Sequence, residues 1–262
     1  MVEFVEGHAI AEMAQAMAPE VAARYDVHLQ WIGSAVALAL RRVDVPMFNR
    51  VVGLGLREPV TNAILDAVVD LYHGARVRYL VQISPVALSS DLHAQLEARG
   101  LSREDNWVQL IRGPEPPPAI RTGLRIERID ADAAESLAAI LCIGFELPRE
   151  YAVFFTGLVG RPRWRHYLAY DGEMPIAAGV LYVQDHVGYL ASAATLPSHR
   201  RRGAQGALMA QRIRDAMDLG CRYLVTETVE ETTTYSNPSY HNMLRTGFRL
   251  AYPRPNYIYF PA

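Results

Sequence analysis

The sequence predicts a mixed α/β fold, a central mixed sheet flanked by helices, built in two tandem copies. Three observations carry this. Apolar runs of strand length alternate with helical stretches through the C-terminal half, and the same order recurs in the N-terminal half. Between the halves lies Arg112-Gly113-Pro114-Glu115-Pro116-Pro117-Pro118. Proline lacks the backbone donor that helix and strand require, so this stretch reads as a linker. The expected organisation is a domain at 1–112, a linker at 113–121 and a second domain at 122–262.

The second half is read element by element. Leu124-Arg125-Ile126-Glu127-Arg128-Ile129 alternates loosely and predicts a strand. Asp130 is the expected cap of a helix through 133–144, and a further helical stretch follows at about 149–158. Residues 166–170 and 176–183 are apolar runs joined by Asp171-Gly172-Glu173, the turn chemistry of a hairpin. Residues 187–196 form another strand. The stretch 202–219 carries Leu208, Ile213, Ala216 and Met217 near helical spacing and ends at Gly220. Residues 223–228 predict a strand, 239–246 a short helix stopped by Gly247, and 248–259 a last extended segment.

Composition sets the limits on function. Hydrophobic residues make up 50% of the 262 and charged residues 21%, which excludes disordered, collagen-like and coiled-coil classes. Lys and Arg number 26 against 28 Asp and Glu, so no global field favours nucleic acid or an anionic membrane, and any anion site must be local. Cys142 and Cys221 are the only cysteines, too few for a disulfide framework and without zinc or redox spacing. The histidines are scattered, and no metal site is expected. Met1-Val2-Glu3-Phe4-Val5-Glu6 lacks the basic start of a signal peptide, and no stretch approaches the roughly 20 apolar residues of a membrane span. A cytoplasmic protein is expected.

The repeat is visible in residues. Arg78-Tyr79-Leu80-Val81 recurs as Arg222-Tyr223-Leu224-Val225, and the helix expected at 62–73 overlays that at 206–217. Gly53-Leu54-Gly55-Leu56 falls on Ala193-Ala194-Thr195-Leu196, and a helix at 92–99 closed by Gly100 matches 239–246 closed by Gly247. The copies differ at one strand-to-helix turn. The second reads Leu196-Pro197-Ser198-His199-Arg200-Arg201-Arg202-Gly203-Ala204-Gln205-Gly206; the first is shorter and holds Glu58 and Pro59. In the first copy a negative charge would stand where a phosphate would sit, and proline removes an N–H. In the second, Arg201, Arg202, Gly203, Ala204, Gln205 and Gly206 offer consecutive N–H groups at a helix start, the chemistry of a pyrophosphate cradle. The P-loop and dinucleotide-binding patterns are both absent.

The Arg200-x-x-Gly203-x-Gln205-Gly206 turn resembles the signature of the GNAT superfamily of acyl-CoA-dependent N-acyltransferases. Leu196-Pro197 stands before it, and Asn237-Pro238-Ser239-x-x-Asn242 and Gly247-Phe248 follow. The resemblance covers roughly 122–259, with the N-terminal half similar to a degenerate second copy. It implies acetyl-CoA as co-substrate, with no metal. The backbone of Ala194, Thr195 and Leu196 would hold pantetheine and the thioester carbonyl, residues 201–206 the pyrophosphate, and Asn237, Ser239 and Asn242 the pantetheine arm. It implies direct attack by the amine of a small-molecule acceptor in a monomer or homodimer, with no nucleic acid and no membrane.

Direct aminolysis needs a base, an oxyanion donor and stabilisation of the leaving thiolate. Glu227, at the end of the strand beside the expected cleft, is the candidate base; Glu146 and Tyr151, in the segment that the resemblance puts beside the acceptor, are weaker candidates, as is His199 at the mouth of the cleft. The resemblance puts a tyrosine acid at the position held here by Met243, so that role is either vacant or has moved to Tyr240 or Tyr235. The loss of that tyrosine also raises an alternative, a non-catalytic acyl-CoA-binding or sensor protein.

Overall fold

The computed structural model describes residues 1–261; Ala262, the end of the expected second domain, lies outside the described residues. The chain divides into two compact units. Unit 1 is Met1–Val108 together with the stretch from Tyr252 onward, and unit 2 is Gln109–Ala251. The C-terminal stretch thus groups with unit 1, whereas the sequence expectation put it in the second domain.

Unit 1 holds α1 (Val2–Gln15), α2 (Pro19–Tyr25), β1 (Val27–Ile32), β2 (Ala35–Leu40), β3 (Arg50–Val52), α3 (Asn62–Tyr72), β4 (Tyr79–Gln82), α4 (Ser90–Ala98) and most of β5 (Leu101–Arg112). Every residue of β2, Ala-Val-Ala-Leu-Ala-Leu, is buried, because both faces of the strand are covered. Gly7 of α1 lies against Val36, while Ala35, Ala37 and Ala39 pack with Leu65, Val68 and Tyr72 of α3. The α1 and α2 helices and the β1–β2 hairpin have no counterpart in the sequence reading.

Unit 2 holds β6 (Arg125–Ile129), α5 (Ala134–Gly144), α6 (Val153–Thr156), β7 (Trp164–Asp171), β8 (Met174–Gln184), β9 (Val187–Thr195), α7 (Ala204–Asp218), β10 (Tyr223–Val229), α8 (Pro238–Arg245) and the first residues of β11 (Arg249–Tyr259). Two expectations change here. Asp130 stands at the start of a 3-10 turn but makes no side-chain cap bond, and the stretch from 149 is a 3-10 turn at Arg149–Ala152 followed by the single turn of α6.

Strand order in unit 1 is β1-β2-β3-β4-β11-β5, with β3 and β4 parallel; in unit 2 it is β5-β10-β9-β8-β7-β6, with β9 and β10 parallel. The order β3-α3-β4-α4-β5 is therefore repeated as β9-α7-β10-α8-β11. In each unit the strand beside the parallel pair is the last strand of the other half of the sequence: β11 pairs antiparallel with β4, and β5 neighbours β10. Arg112, expected to end the first domain just before the linker, is the last residue of β5 and is buried. Its guanidinium donates to the carbonyls of Thr246, at 2.6 Å, and Gly113, at 3.2 Å.

The two faces of the unit 2 sheet are covered by different helices. In β8, Gly179 faces Arg212 of α7, while the adjacent Ala178 pairs with Ala194 of β9, against which Gly144 of α5 packs. Neighbouring residues of a strand point to opposite faces, so α7 and α5 lie on opposite sides.

His166, on β7 opposite Val180, is 1% exposed and its Nδ1 finds no hydrogen-bond partner among the described residues. Burial, with the Arg165 charge adding to it, pushes its pKa down to about 4. A folded value below the unfolded ~6.5 means that protonation favours the unfolded chain. Stability from this group is complete above pH ~6.5 and is lost as pH falls toward 4, by about 3 kcal/mol in all. Urea denaturation of His166→Phe at pH 7 and pH 4.5 should show a smaller acid loss than the parent protein; an equal loss in both would locate the acid sensitivity elsewhere.

Candidate functional site

A gap opens in the unit 2 sheet between its two parallel strands. β9 and β10 are in register only from Val187–Tyr189 against Tyr223–Val225, although both strands continue. Beyond that point the Thr226 hydroxyl donates to the Leu190 carbonyl at 2.9 Å. The divergence has a local cause. Between Leu190 and Ala193, β9 sets two residues, Ala191 and Ser192, against the single Val180 of β8, and such a bulge bends and twists the strand that carries it. Arg212, fully buried in α7, donates from its guanidinium to the Val180 carbonyl at 3.1 Å and to Leu208 O at 3.2 Å. Burial pushes the Arg212 pKa down to about 10, still far above neutral pH, so the group stays charged.

The bulge also decides which amides face the gap. Leu196 N–H is committed to Ile176 O at 2.9 Å, on the β8 side. It is therefore not available to the thioester carbonyl that the backbone of Ala194, Thr195 and Leu196 was expected to hold. Successive N–H groups of a strand alternate between its two neighbours, so the donors turned toward the gap are those of Thr195 and Ala193.

At the end of β9 the chain turns into α7. Arg201 has φ +63 and Gly203 φ +83, two left-handed residues in three. Glycine accepts this conformation freely; Arg201 does so at a cost of about 1 kcal/mol, the kind of strain found at functional turns. Gly203 is the N-cap of α7 and supplies no side-chain cap, and the first bond of the helix ladder runs from Ala207 N–H to Gly203 O. The N–H groups of Ala204, Gln205 and Gly206 therefore precede the ladder at the positive end of a 15-residue helix dipole. The corresponding helix of unit 1 is closed by its own side chain, since Thr61 Oγ1 accepts from Ile64 N–H at 3.3 Å. Glu58 does not lie across that helix start as the sequence suggested; its carboxylate accepts from Ser34 N–H at 2.6 Å in the β1–β2 turn.

The residues picked out on α8 gather around the same turn. Gln205 donates to Ser239 Oγ at 2.6 Å and accepts from Asn242 Nδ2 at 2.5 Å. Asn237 is buried and caps α8, its Oδ1 accepting from the N–H groups of Ser239 and Tyr240. Its Nδ2 donates to Thr228 Oγ1 and Val229 O, fixing the start of α8 to the end of β10.

Together these elements line a cavity of about 1220 Å³. Of the expected cofactor-binding residues, Ala194, Thr195, Arg201, Gly203, Ala204, Gln205, Gly206, Asn237, Ser239 and Asn242 are on its wall and Leu196 and Arg202 are not; the catalytic candidates Glu227 and Tyr240 are also off it. No Asp or Glu lines it. Arg202 turns away to Asp171, 2.5 Å distant, and this hydrogen bond holds the Asp171 carboxyl below its ordinary value and raises the arginine. His241 lies 2.8 Å from Glu231, whose carboxyl is held low first by the Asn237 N–H. Arg200, Arg201 and Arg245 line the cavity with no acidic partner among the described residues.

Glu227 is half-buried on β10. One carboxylate oxygen accepts from Tyr189 OH at 3.0 Å and the other from Gln109 Nε2 at 2.9 Å. Tyr189 is adjacent to Gly188, which faces Ala216 of α7, so the Tyr189–Glu227 pair lies on the opposite, α5 face. Gly144 and Phe145, at the end of α5, form the cavity wall on that face, and a side chain at Gly144 would meet Ala194 Cβ at 2.2 Å. Met243 is buried, Tyr235 lines the cavity, and so does His199, hydrogen-bonded to Ser198. Glu146 and Tyr151 are off the wall, the latter stacked on Phe154. Sequence reasoning missed Gln109, Tyr189 and Arg245; the first two join Glu227 only through strand pairing, which leaves no local pattern.

Residues 133–248 match the acetyltransferase (GNAT) family. A GCN5-related N-acetyltransferase from Kribbella flavida superposes with a TM-score of 0.63 at 17% identity, covering 96% of this chain and 95% of that one. One from Sphaerobacter thermophilus gives 0.61 at 15%, covering 86% and 79%. A tandem GNAT protein from the clavulanic acid biosynthesis pathway gives 0.57 at 14%, covering 95% and 93%. At these identities the likeness establishes the fold over most of the chain. No curated protein matches it. Among the described residues no helix is long and apolar enough to cross a membrane, and no cluster of metal-ligating side chains occurs.

Proposed function

We propose that the protein is an N-acetyltransferase that moves the acetyl group of acetyl-CoA to the amine of a small acceptor by direct attack, with unit 1 a degenerate copy that carries no cofactor. The observation that carries this reading is the open start of α7, with three N–H groups ahead of the helix ladder, set beside the gap between β9 and β10 in an acid-free cavity. Coenzyme A fits that combination: a diphosphate for the amides and arginines, and a narrow arm for the gap. When bound, it supplies the activated thioester.

The chain supplies the rest. Glu227, held by Tyr189 and Gln109, takes a proton from the acceptor ammonium, directly or through one water. The N–H of Thr195 faces the charge that develops on the carbonyl oxygen. Of the two tyrosines weighed as acids only Tyr235 lines the cavity, and it returns a proton to the departing sulfur. The burial of Met243 where the family resemblance puts a tyrosine favours a second reading, an acyl-CoA-binding protein without turnover. Incubation with acetyl-CoA and a broad amine panel, with free thiol followed over time, separates them: thiol release that depends on an amine supports the enzyme, and tight binding without release supports the binder.

A further inference from the structure

We infer that Arg245 forms a separate phosphate subsite that reads the 3′-phosphomonoester of coenzyme A; this rests on the proposed coenzyme A site. Arg245 stands in the last turn of α8 and lines the cavity from a different element than the turn that carries Arg200 and Arg201. Its side chain is aimed by neighbours. Arg245 NH1 donates to Asn242 Oδ1 at 2.6 Å, Asn242 Nδ2 donates to Gln205 Oε1 at 2.5 Å, and Gln205 Nε2 donates to Ser239 Oγ at 2.6 Å. Gln205 is the second residue of α7, so this relay ties the arginine to the helix start that meets the diphosphate.

Charge bookkeeping points the same way. Of the basic side chains beside the cavity, Arg202 is paired with Asp171 and the His241 ring lies against Glu231. Arg200, Arg201 and Arg245 remain without an acidic partner among the described residues, and the wall itself has no carboxylate. These charges fall on two separate elements. Coenzyme A likewise carries its negative charge at two places, the diphosphate bridge and the ribose 3′-phosphate. The amides of Ala204, Gln205 and Gly206 with the turn arginines suit the first. A guanidinium with a fixed fork suits the terminal phosphate. The relay also gives Gln205 a task that a small residue at that place would not perform.

Calorimetry on the full-length protein with coenzyme A and with 3′-dephospho-coenzyme A tests this without an acceptor. The parent protein should bind coenzyme A roughly tenfold or more tightly than the dephospho form. Arg245→Gln should bind both with the parent's affinity for the dephospho form, and Arg245→Lys should recover part of the ratio. Arg245 is exposed, so these variants should melt as the parent does. Equal affinities in the parent, a ratio that survives in Arg245→Gln, or an equal loss for both ligands would overturn the inference, the last by assigning Arg245 to the diphosphate. If the parent binds neither ligand, the coenzyme A site itself is wrong. If it binds both and only the ratio fails, the site stands and the subsite falls.

Discussion

Gly206→Asp should leave the fold intact and lower the affinity for acetyl-CoA by at least about 100-fold. Gly206 is the third residue of α7 and lines the cavity; a Cβ there would meet Ile120 at 3.6 Å, an ordinary contact. A carboxylate in the first turn of a helix complements the dipole and adds a few tenths of a kcal/mol of stability or more. The same charge stands where the diphosphate would come, and it supplies the wall with the acid it lacks. The expected pattern is a melting temperature unchanged or raised with binding lost. A fall in both would mean that the glycine serves packing, and a rise in stability with binding preserved would move the diphosphate away from this helix.

Glu227→Gln should reduce kcat/KM about 10²- to 10⁴-fold with a responsive amine while leaving acetyl-CoA binding near the parent value. The amide keeps the shape and one acceptor oxygen for Tyr189 or Gln109 but cannot take a proton. The parent's rate should fall as pH drops through the pKa of the carboxylate, because only the ionised form serves as base, and this acidic limb should vanish in the variant. Tyr189→Phe removes a donor that favours the ionised form, so the limb should move to higher pH. A pH–rate profile of Glu227→Gln that overlays the parent's, in height and shape, would eliminate the assignment.

The order of elements in unit 2 was legible because each has a local cause: a turn at Asp171-Gly172-Glu173, an apolar stripe on α7, glycines closing α7 and α8. The cofactor turn was legible for the same reason, since a helix start that needs Gly203 at φ +83 announces itself in sequence. Helix α7 begins at Ala204 rather than at Arg202 because that left-handed glycine ends the turn there. What pairing over long distances creates was not legible. Glu227 meets Gln109, 118 positions earlier, because the end of β5 is the strand beside β10. Arg112 looked like the end of a domain because prolines follow it, yet its bond to Thr246 O, 134 positions on, makes it core. Arg212 sat among apolar helix positions with nothing to mark it as the donor to Val180 at the bulge.

Both copies build a parallel strand pair with a helix between, but Thr61 closes the first helix with its own hydroxyl whereas Gly203 leaves the second open. Placing Glu58 in the β1–β2 turn changes the reason given for the closed copy without changing the contrast, because the helix start of unit 1 is satisfied from within.

The most direct test of the central claim is the stoichiometry of acetyl-CoA binding to the full-length protein by calorimetry. One molecule per chain, lost in Gly206→Asp, is the result that an open α7 and a closed α3 require. Two molecules per chain, or none at saturating ligand, would contradict it.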